Sequence, residues 1–187
     1  MRYPSEAEAL YLLRKYRLFK EIVEHSKDVA DVAVRIAEQI QSSGHEVDVN
    51  LVRSAALLHD IGKWKYNRQK GGTEIHEYES GRLLRELGWP EFADICESHV
   101  GVSKAEAEKL GFPEPHDTMP KSLEAKIIYI ADKIRPGSEN LQEIIETFKR
   151  SKKLKERYWS RCPGFMESSI RNVTKIWREL EKMGMRI

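Results

Sequence analysis

An all-α fold is what this sequence predicts, on three observations. Apolar residues recur at intervals of three and four rather than two, glycines and prolines fall between the apolar stretches, and no alternating strand pattern persists. The stripe Ala9, Leu12, Leu13, Tyr16, Phe19 and Val23 predicts a first helix. Val29, Val32, Ala33, Ile36 and Ile40 predict a second, ended at Gly44. Asp48 or Asn50 is placed to cap a third, with Leu51, Val52, Ala55 and Leu58, which stops at Gly62. The polar stretch Asn67 to Gly72 reads as a loop. Glu74 to Leu87 reads as a fourth helix, broken by Gly88-Trp89-Pro90, and Glu91 to Val100 as a fifth. Ala105 to Leu110 is a short helix, and Gly111 to Pro120, with three prolines, is irregular. Leu123 to Ile134 is strongly apolar and is closed by Pro136-Gly137. Leu141 to Lys149 and Phe165 to Met183 complete the set; in the last, Met166, Ile170, Val173, Trp177 and Leu180 form a stripe that suits core or a homodimer seam.

Composition narrows the classes. A chain of 187 residues, 40% hydrophobic and 33% charged, fits one globular domain spanning 1–187. Apolar runs are too short to cross a membrane, and the first residues lack the pattern of a signal peptide, so a cytoplasmic protein is expected. Cys96 and Cys162 are far apart and form no CxxC, which predicts free thiols. A formal charge of +2 makes no case for nucleic acid, and the basic run Lys149 to Lys155 reads as a solvated helix face.

The chemistry is carried by polar residues on faces that should be core. His59 and Asp60 end the apolar run Ala55-Ala56-Leu57-Leu58 and open the pentad HDIGK. Adjacent imidazole and carboxylate groups at a helix end can chelate a metal ion while the glycine turns the backbone away. His25 stands on the stripe of Val29, Val32 and Ile36, and Asp132 lies in Ile127-Ile128-Tyr129-Ile130-Ala131-Asp132. His99 follows Ile95 and Cys96 at helical spacing, and His76 precedes Leu83 and Leu84 by two turns. Each such group needs a buried partner, because a desolvated charge without one is costly. Together, His25, His59, Asp60, His76, His99 and Asp132 form a candidate metal cluster. Imidazole and carboxylate without thiolate suit Fe, Mn, Ni, Co or Zn better than calcium. His45, beside Gly44, and His116, among prolines, read as surface residues.

The order His25, His59-Asp60, His76, His99, Asp132 resembles the HD superfamily of metal-dependent phosphohydrolases over residues 22–137, leaving 138–187 as a C-terminal helical extension. The resemblance implies an all-helical bundle and hydrolysis of a phosphoester or phosphoanhydride of a nucleotide by a metal-activated hydroxide. His76 and His99 resemble the dinuclear subgroup. That implies two ions, the first on His25, His59, Asp60 and Asp132, the second on Asp60, His76 and His99. The run Leu123 to Gly137 is similar to the last motif of the symmetrical diadenosine tetraphosphatases, so a dinucleoside polyphosphate is one implied substrate. The sequence departs from that subgroup at Val100-Gly101-Val102-Ser103. Lys63 stands where monophosphate nucleotidases carry Glu, and no GYP element is present. Asp60, Lys63 and Asp132 are the candidate catalytic residues, and Lys63 and Arg135 the candidate phosphate-binding cations, each also readable as a solvated surface charge. The loop Trp64 to Gly72, with Lys65, Arg68 and Lys70, could close over an anion. The competing reading is a non-catalytic metal- or nucleotide-binding HD module with a protein or RNA partner; a di-iron oxygenase is a third.

Overall fold

Alanines set how closely the first helices approach. In the computed structural model, which describes residues 1–65, 75–134 and 140–187, helix α2 (Lys20–Ser42) buries Ala30, Ala33 and Ala37, and α3 (Val49–Leu58) buries Ala55 and Ala56. α2 packs on α3 and on α7 (Leu123–Ala131), whose Ile127, Ile128 and Ile130 are fully buried. α1 (Glu6–Lys15) covers α3, with Ser5 and Glu8 forming a capping box at its start. α4 (His76–Glu86) pairs with α5 (Pro90–Glu97), which begins on Pro90, a first-turn position where an amide proton would have no partner within the helix. α6 (Lys104–Leu110) precedes the irregular segment, and α8 (Leu141–Arg150) leads into a single turn α9 (Lys152–Leu154) that continues as the π-helical stretch Lys155–Trp159. α10 (Phe165–Lys182) returns to α7 and buries Val173, Ile176, Trp177 and Leu180, so the later part of its stripe is core, while Met166 and Ile170 are half-buried. Among the described residues there is no strand, and no helix is long and apolar enough to cross a membrane. The fold is all-α, as expected.

Boundaries differ from expectation in three places. The stripe expected as one helix through Val23 breaks at Tyr16 to Phe19. Arg17 takes a left-handed φ of 54°, its amide bonds Arg14, and the Leu18 amide bonds the Leu13 carbonyl. Leu18 then enters the core while Phe19 stays 54% exposed. Periodicity could not reveal this break, because a non-glycine residue makes it. α5 ends at Glu97 rather than Val100, and α7 at Ala131 rather than Ile134, so His99 and Asp132 fall at helix ends.

Gly62 corrects the expectation more sharply. It does not stop α3 or turn the chain away; α3 ends at Leu58, and Gly62 lies inside a 3-10 turn, Ile61–Lys65. Its role is close approach. A Cβ on Gly62 would overlap the His76 carbonyl oxygen and the Ser80 amide and lie 2.8 Å from the Glu79 carbonyl carbon. The buried Ser80 hydroxyl seals the contact, accepting from the Gly62 amide at 2.8 Å and donating to the His59 carbonyl at 2.8 Å.

His116 is not a free surface residue. Its Nε2 lies 3.1 Å from Oε1 of Glu97, a buried carboxylate whose Oε2 meets Arg85 at 2.6 Å, and its Nδ1 donates to the Glu114 carbonyl. This tethers the proline-rich segment to α4 and α5. Lys65 pairs with the buried Glu79 rather than standing free in the loop. Arg68 and Lys70 lie outside the described residues. The basic run is exposed at Lys149, Arg150 and Lys152, with Glu146 and Glu156 as partners, but Ser151 and Leu154 within it turn inward. Cys96 and Cys162 are free and buried.

Two outcomes follow. Gly62→Ala forces backbone against backbone and lowers Tm in differential scanning calorimetry by about 2–12 °C, the range for overpacking in a chain of this size; an unchanged Tm would show that α4 yields freely. For His116, burial lowers the pKa, but the bond to the Glu114 carbonyl and the Glu97 charge outweigh it, so the pKa is raised from its ordinary 6.5. Its stabilising contribution is complete below that ordinary value and is lost as pH rises through the raised one. The Tm gap between wild type and His116→Gln therefore narrows with rising pH; a constant gap across the series would refute the pairing.

Candidate metal centre

Three helices end on one point. His59 is the C-cap of α3, His99 follows the C-cap of α5, and Asp132 is the C-cap of α7. Helix C-termini carry partial negative charge, so their convergence favours a cation between them. His76 opens α4 and His25 comes from within α2. His59, Asp60, His76 and His99 are buried, while His25 and Asp132 keep 20% and 18% of their side chains exposed, facing the opening.

The same local device aims two of the rings. His59 Nδ1 donates to the Ala56 carbonyl at 2.6 Å, and His99 Nδ1 to the Cys96 carbonyl at 2.7 Å, each three residues back. A carbonyl only accepts, so Nδ1 carries the proton and Nε2 presents a lone pair inward. Asp60 Oδ2 lies 3.4 Å from His59 Nε2 and 3.6 Å from His25 Nε2, while its Oδ1 lies 3.1 Å from His76 Nε2 and 3.6 Å from His99 Nε2. Asp132 Oδ1 lies 3.2 Å from His25 Nε2 and 3.5 Å from His59 Nε2. One carboxylate thus faces two groups of imidazoles, one through each oxygen.

This set fits a divalent metal. His59 Nε2 and Asp60 Oδ1 are buried without a hydrogen-bond partner among the described residues, and His76 and His99 point Nε2 at each other across 3.1 Å. The lone pair of His99 Nε2 needs either a proton on His76 Nε2 or a cation between the two rings, and His59 Nε2 and Asp60 Oδ1 need a partner of their own, which a cation supplies. The titration behaviour reports the same demand. Burial lowers the pKa of His59, but Asp60 and Asp132 outweigh it and raise it to about 9. Burial raises the Asp60 carboxyl, yet Lys63 and His59 hold it well below its usual range. Asp132 is likewise raised by burial and held low by Lys133, His25 and His59. His99 is pushed well below the ordinary imidazole value by burial and by neighbouring His59 and His76. The triples His25, His59, Asp132 and His59, Asp60, His99 each bring three donor atoms within 4.8 Å of one another.

A cavity of about 230 Å³ opens from this centre. Lys63, whose ammonium contacts Asp60 Oδ2, lies on its wall. So does Lys133, which donates to the His99 carbonyl at 2.6 Å and rests 3.9 Å over the Tyr129 ring. The apolar wall comes from Val100 and from α8, α9, the π-helical stretch and α10: Phe148, Leu154, Tyr158, Trp159 and Phe165. The expected six residues thus come together, with Lys63 beside them. Arg135 lies outside the described residues.

A family model for the HD domain matches residues 22–137. The chain belongs to the HD-domain family. Protein MJ0778 of Methanocaldococcus jannaschii is 38% identical over 78% of the chain and 85% of that protein. The tRNA (cytidine(56)-2'-O)-methyltransferase of Thermoplasma volcanium is 33% identical over 79% of the chain, which spans only 42% of that relative. Ribonuclease Y of Borreliella burgdorferi is 31% identical over 70% of the chain and 23% of its own length. Among solved structures, the HD domain of the phosphodiesterase PgpH from L. monocytogenes, in complex with cyclic-di-AMP, shares the fold. Its TM-score is 0.52 at 19% identity, over 96% of this chain and 99% of that one.

Sequence reasoning passed over three parts of the site. Lys133 directly follows Asp132 in the run Leu123 to Gly137, yet the sequence reading gives it no role. Glu77, next to His76, is fully buried, and its Oε2 lies 3.1 Å from His76 Nδ1, close enough to pair although out of line for a hydrogen bond. The Tyr158 hydroxyl reaches the same carboxylate at 3.4 Å from 81 residues away. Burial raises the Glu77 pKa, with His76 opposing. A buried carboxylate behind an imidazole fixes the ring and raises its basicity as a ligand. Glu77→Leu should therefore weaken Co²⁺ binding, measured by calorimetry, by about 10- to 100-fold; unchanged affinity would remove Glu77 from the centre.

Proposed function

We propose that this chain is a metal-dependent phosphohydrolase acting on a phosphoester or phosphoanhydride of a nucleotide. The observation that carries it is that buried His59 Nε2 and Asp60 Oδ1 have no hydrogen-bond partner among the described residues, beside a cavity lined by Asp60, Lys63 and Lys133. His25, His59, Asp60 and Asp132 would hold one ion, and Asp60, His76 and His99 a second, with Asp60 shared. When bound, such ions supply an acidified water and positive charge for phosphoryl oxygens. Lys63 and Lys133 place ammonium groups on the same wall, where they attract the phosphate and offset its charge. Asp132, more exposed than Asp60, is the carboxylate positioned to accept a proton from the opening side.

Dinucleoside polyphosphates and cyclic dinucleotides are the first substrates to try. The run Leu123 to Gly137 supports the former, and the ligand of the PgpH HD domain supports the latter. The methyltransferase relatives support a second reading. The match there covers less than half of each protein, as a module beside another activity would, and such a module could bind metal or nucleotide without turnover.

The test is elemental analysis of the purified protein, then a screen for phosphate or nucleotide products over mononucleotides, dinucleoside polyphosphates and cyclic dinucleotides. The expected result is a divalent transition metal and turnover that chelation removes and metal restores. Asp60→Ala should lose both metal and turnover; full turnover in that variant refutes the scheme. Ligand binding without turnover across all metals would favour the module.

A further inference from the structure

The cavity lining has two chemically different parts. One is the carboxylate and imidazole centre with Lys63 and Lys133; the other is an aromatic and aliphatic wall that, apart from Val100, comes from residues beyond 137, outside the span matched by the family. Tyr158 and Phe165 are buried, stacked at 5.1 Å and 17°, and belong to a second core cluster with Val102, Ala107, Leu110 and Phe112, so they brace the wall. Phe148 and Trp159 are only half-buried, line the cavity, and have no ring partner among the described residues. Trp159 ends the π-helical stretch, a rare geometry that recurs at functional sites. The hydroxyl-bearing residues Thr147, Ser151 and Ser169 line the same wall, the Ser151 hydroxyl also accepting from the Leu154 amide at 3.2 Å.

From this we infer that Trp159 and Phe148 form a subsite for the nucleobase of a single nucleotide unit, with its phosphate directed at the centre. The inference rests on the phosphohydrolase reading for that orientation. A flat ring with polar edges matches half-exposed aromatic faces interleaved with hydroxyls, which an alkyl chain would desolvate without bonding. At about 230 Å³ the cavity is below the roughly 300–1,000 Å³ usual for drug-sized ligands, so it holds no more than one base with its sugar and phosphate. In a dinucleotide the second base would lie outside. The wall thus selects the ligand, while residues 25–132 supply the chemistry.

The test uses the full metal-loaded chain, with 5'-AMP and ribose 5-phosphate as probes in calorimetry. Wild type should prefer AMP, and Trp159→Ala should lose about 5- to 100-fold in AMP affinity, the range for one lost base stack, while ribose 5-phosphate binding stays within about two-fold. Trp159→Phe should restore most of the AMP affinity, which a merely collapsed wall would not allow. Equal or absent binding of the two probes by wild type overturns the subsite, as does an unchanged AMP affinity in Trp159→Ala or an equal loss of both probes. A preference for AMP that obeys these substitutions in a protein that cleaves no phosphoester supports the subsite and sinks the phosphohydrolase reading.

Discussion

The geometry of the centre depends on one backbone contact. Where the turn after His59 and Asp60 passes α4, Gly62 sits against the His76 carbonyl and Ser80 amide with no room for a side chain, and the Ser80 hydroxyl bonds both the Gly62 amide and the His59 carbonyl. The His-Asp pair and His76 lie on opposite sides of that contact. Their separation is therefore set by two covalent backbones and a buried hydroxyl rather than by flexible side chains, which is how a rigid scaffold keeps donor atoms within the tolerance that metal chemistry requires. The glycine of the pentad is an instrument of proximity.

Around that contact the electrostatics are one-sided. Helix ends from α3, α5 and α7, the carboxylates of Asp60 and Asp132, and two inward lone pairs put negative charge at a largely buried centre. Low local polarity strengthens every such interaction. The protein answers with cations at the edges: Lys63 on Asp60, and Lys133 bound to the His99 carbonyl and spread over Tyr129. Lys133 donates to the backbone at the residue that carries a donor ring, so it joins the positions of His99 and Asp132 as well as contributing charge.

What could be read beforehand follows from what periodicity encodes. An ionisable residue on an apolar stripe faces inward wherever the helix packs, so the inward placement of His25, His76, His99 and Asp132 was legible, as were Asp48, one of two candidate caps, and the break at Gly88-Trp89-Pro90. Features that depend on what lies across the fold were not. Arg17 in a left-handed turn has the composition of a helix, His116 finds Glu97 only once α5 is in place, and Gly62 shows its purpose only when α4 arrives. Glu77 and Tyr158 meet across 81 positions, and the C-terminal stripe of α10 gave no sign that Phe165 and Ser169 would border a cavity. Local spacing locates ligands; tertiary contact makes walls.

The order of these parts along the chain has a consequence for divergence. All six inward donors lie between 25 and 132, whereas Phe148, Tyr158, Trp159 and Phe165 come after residue 140. Substitutions among those four can reshape what the cavity admits while every donor keeps its place, so long as Val173, Ile176, Trp177 and Leu180 still complete the main core.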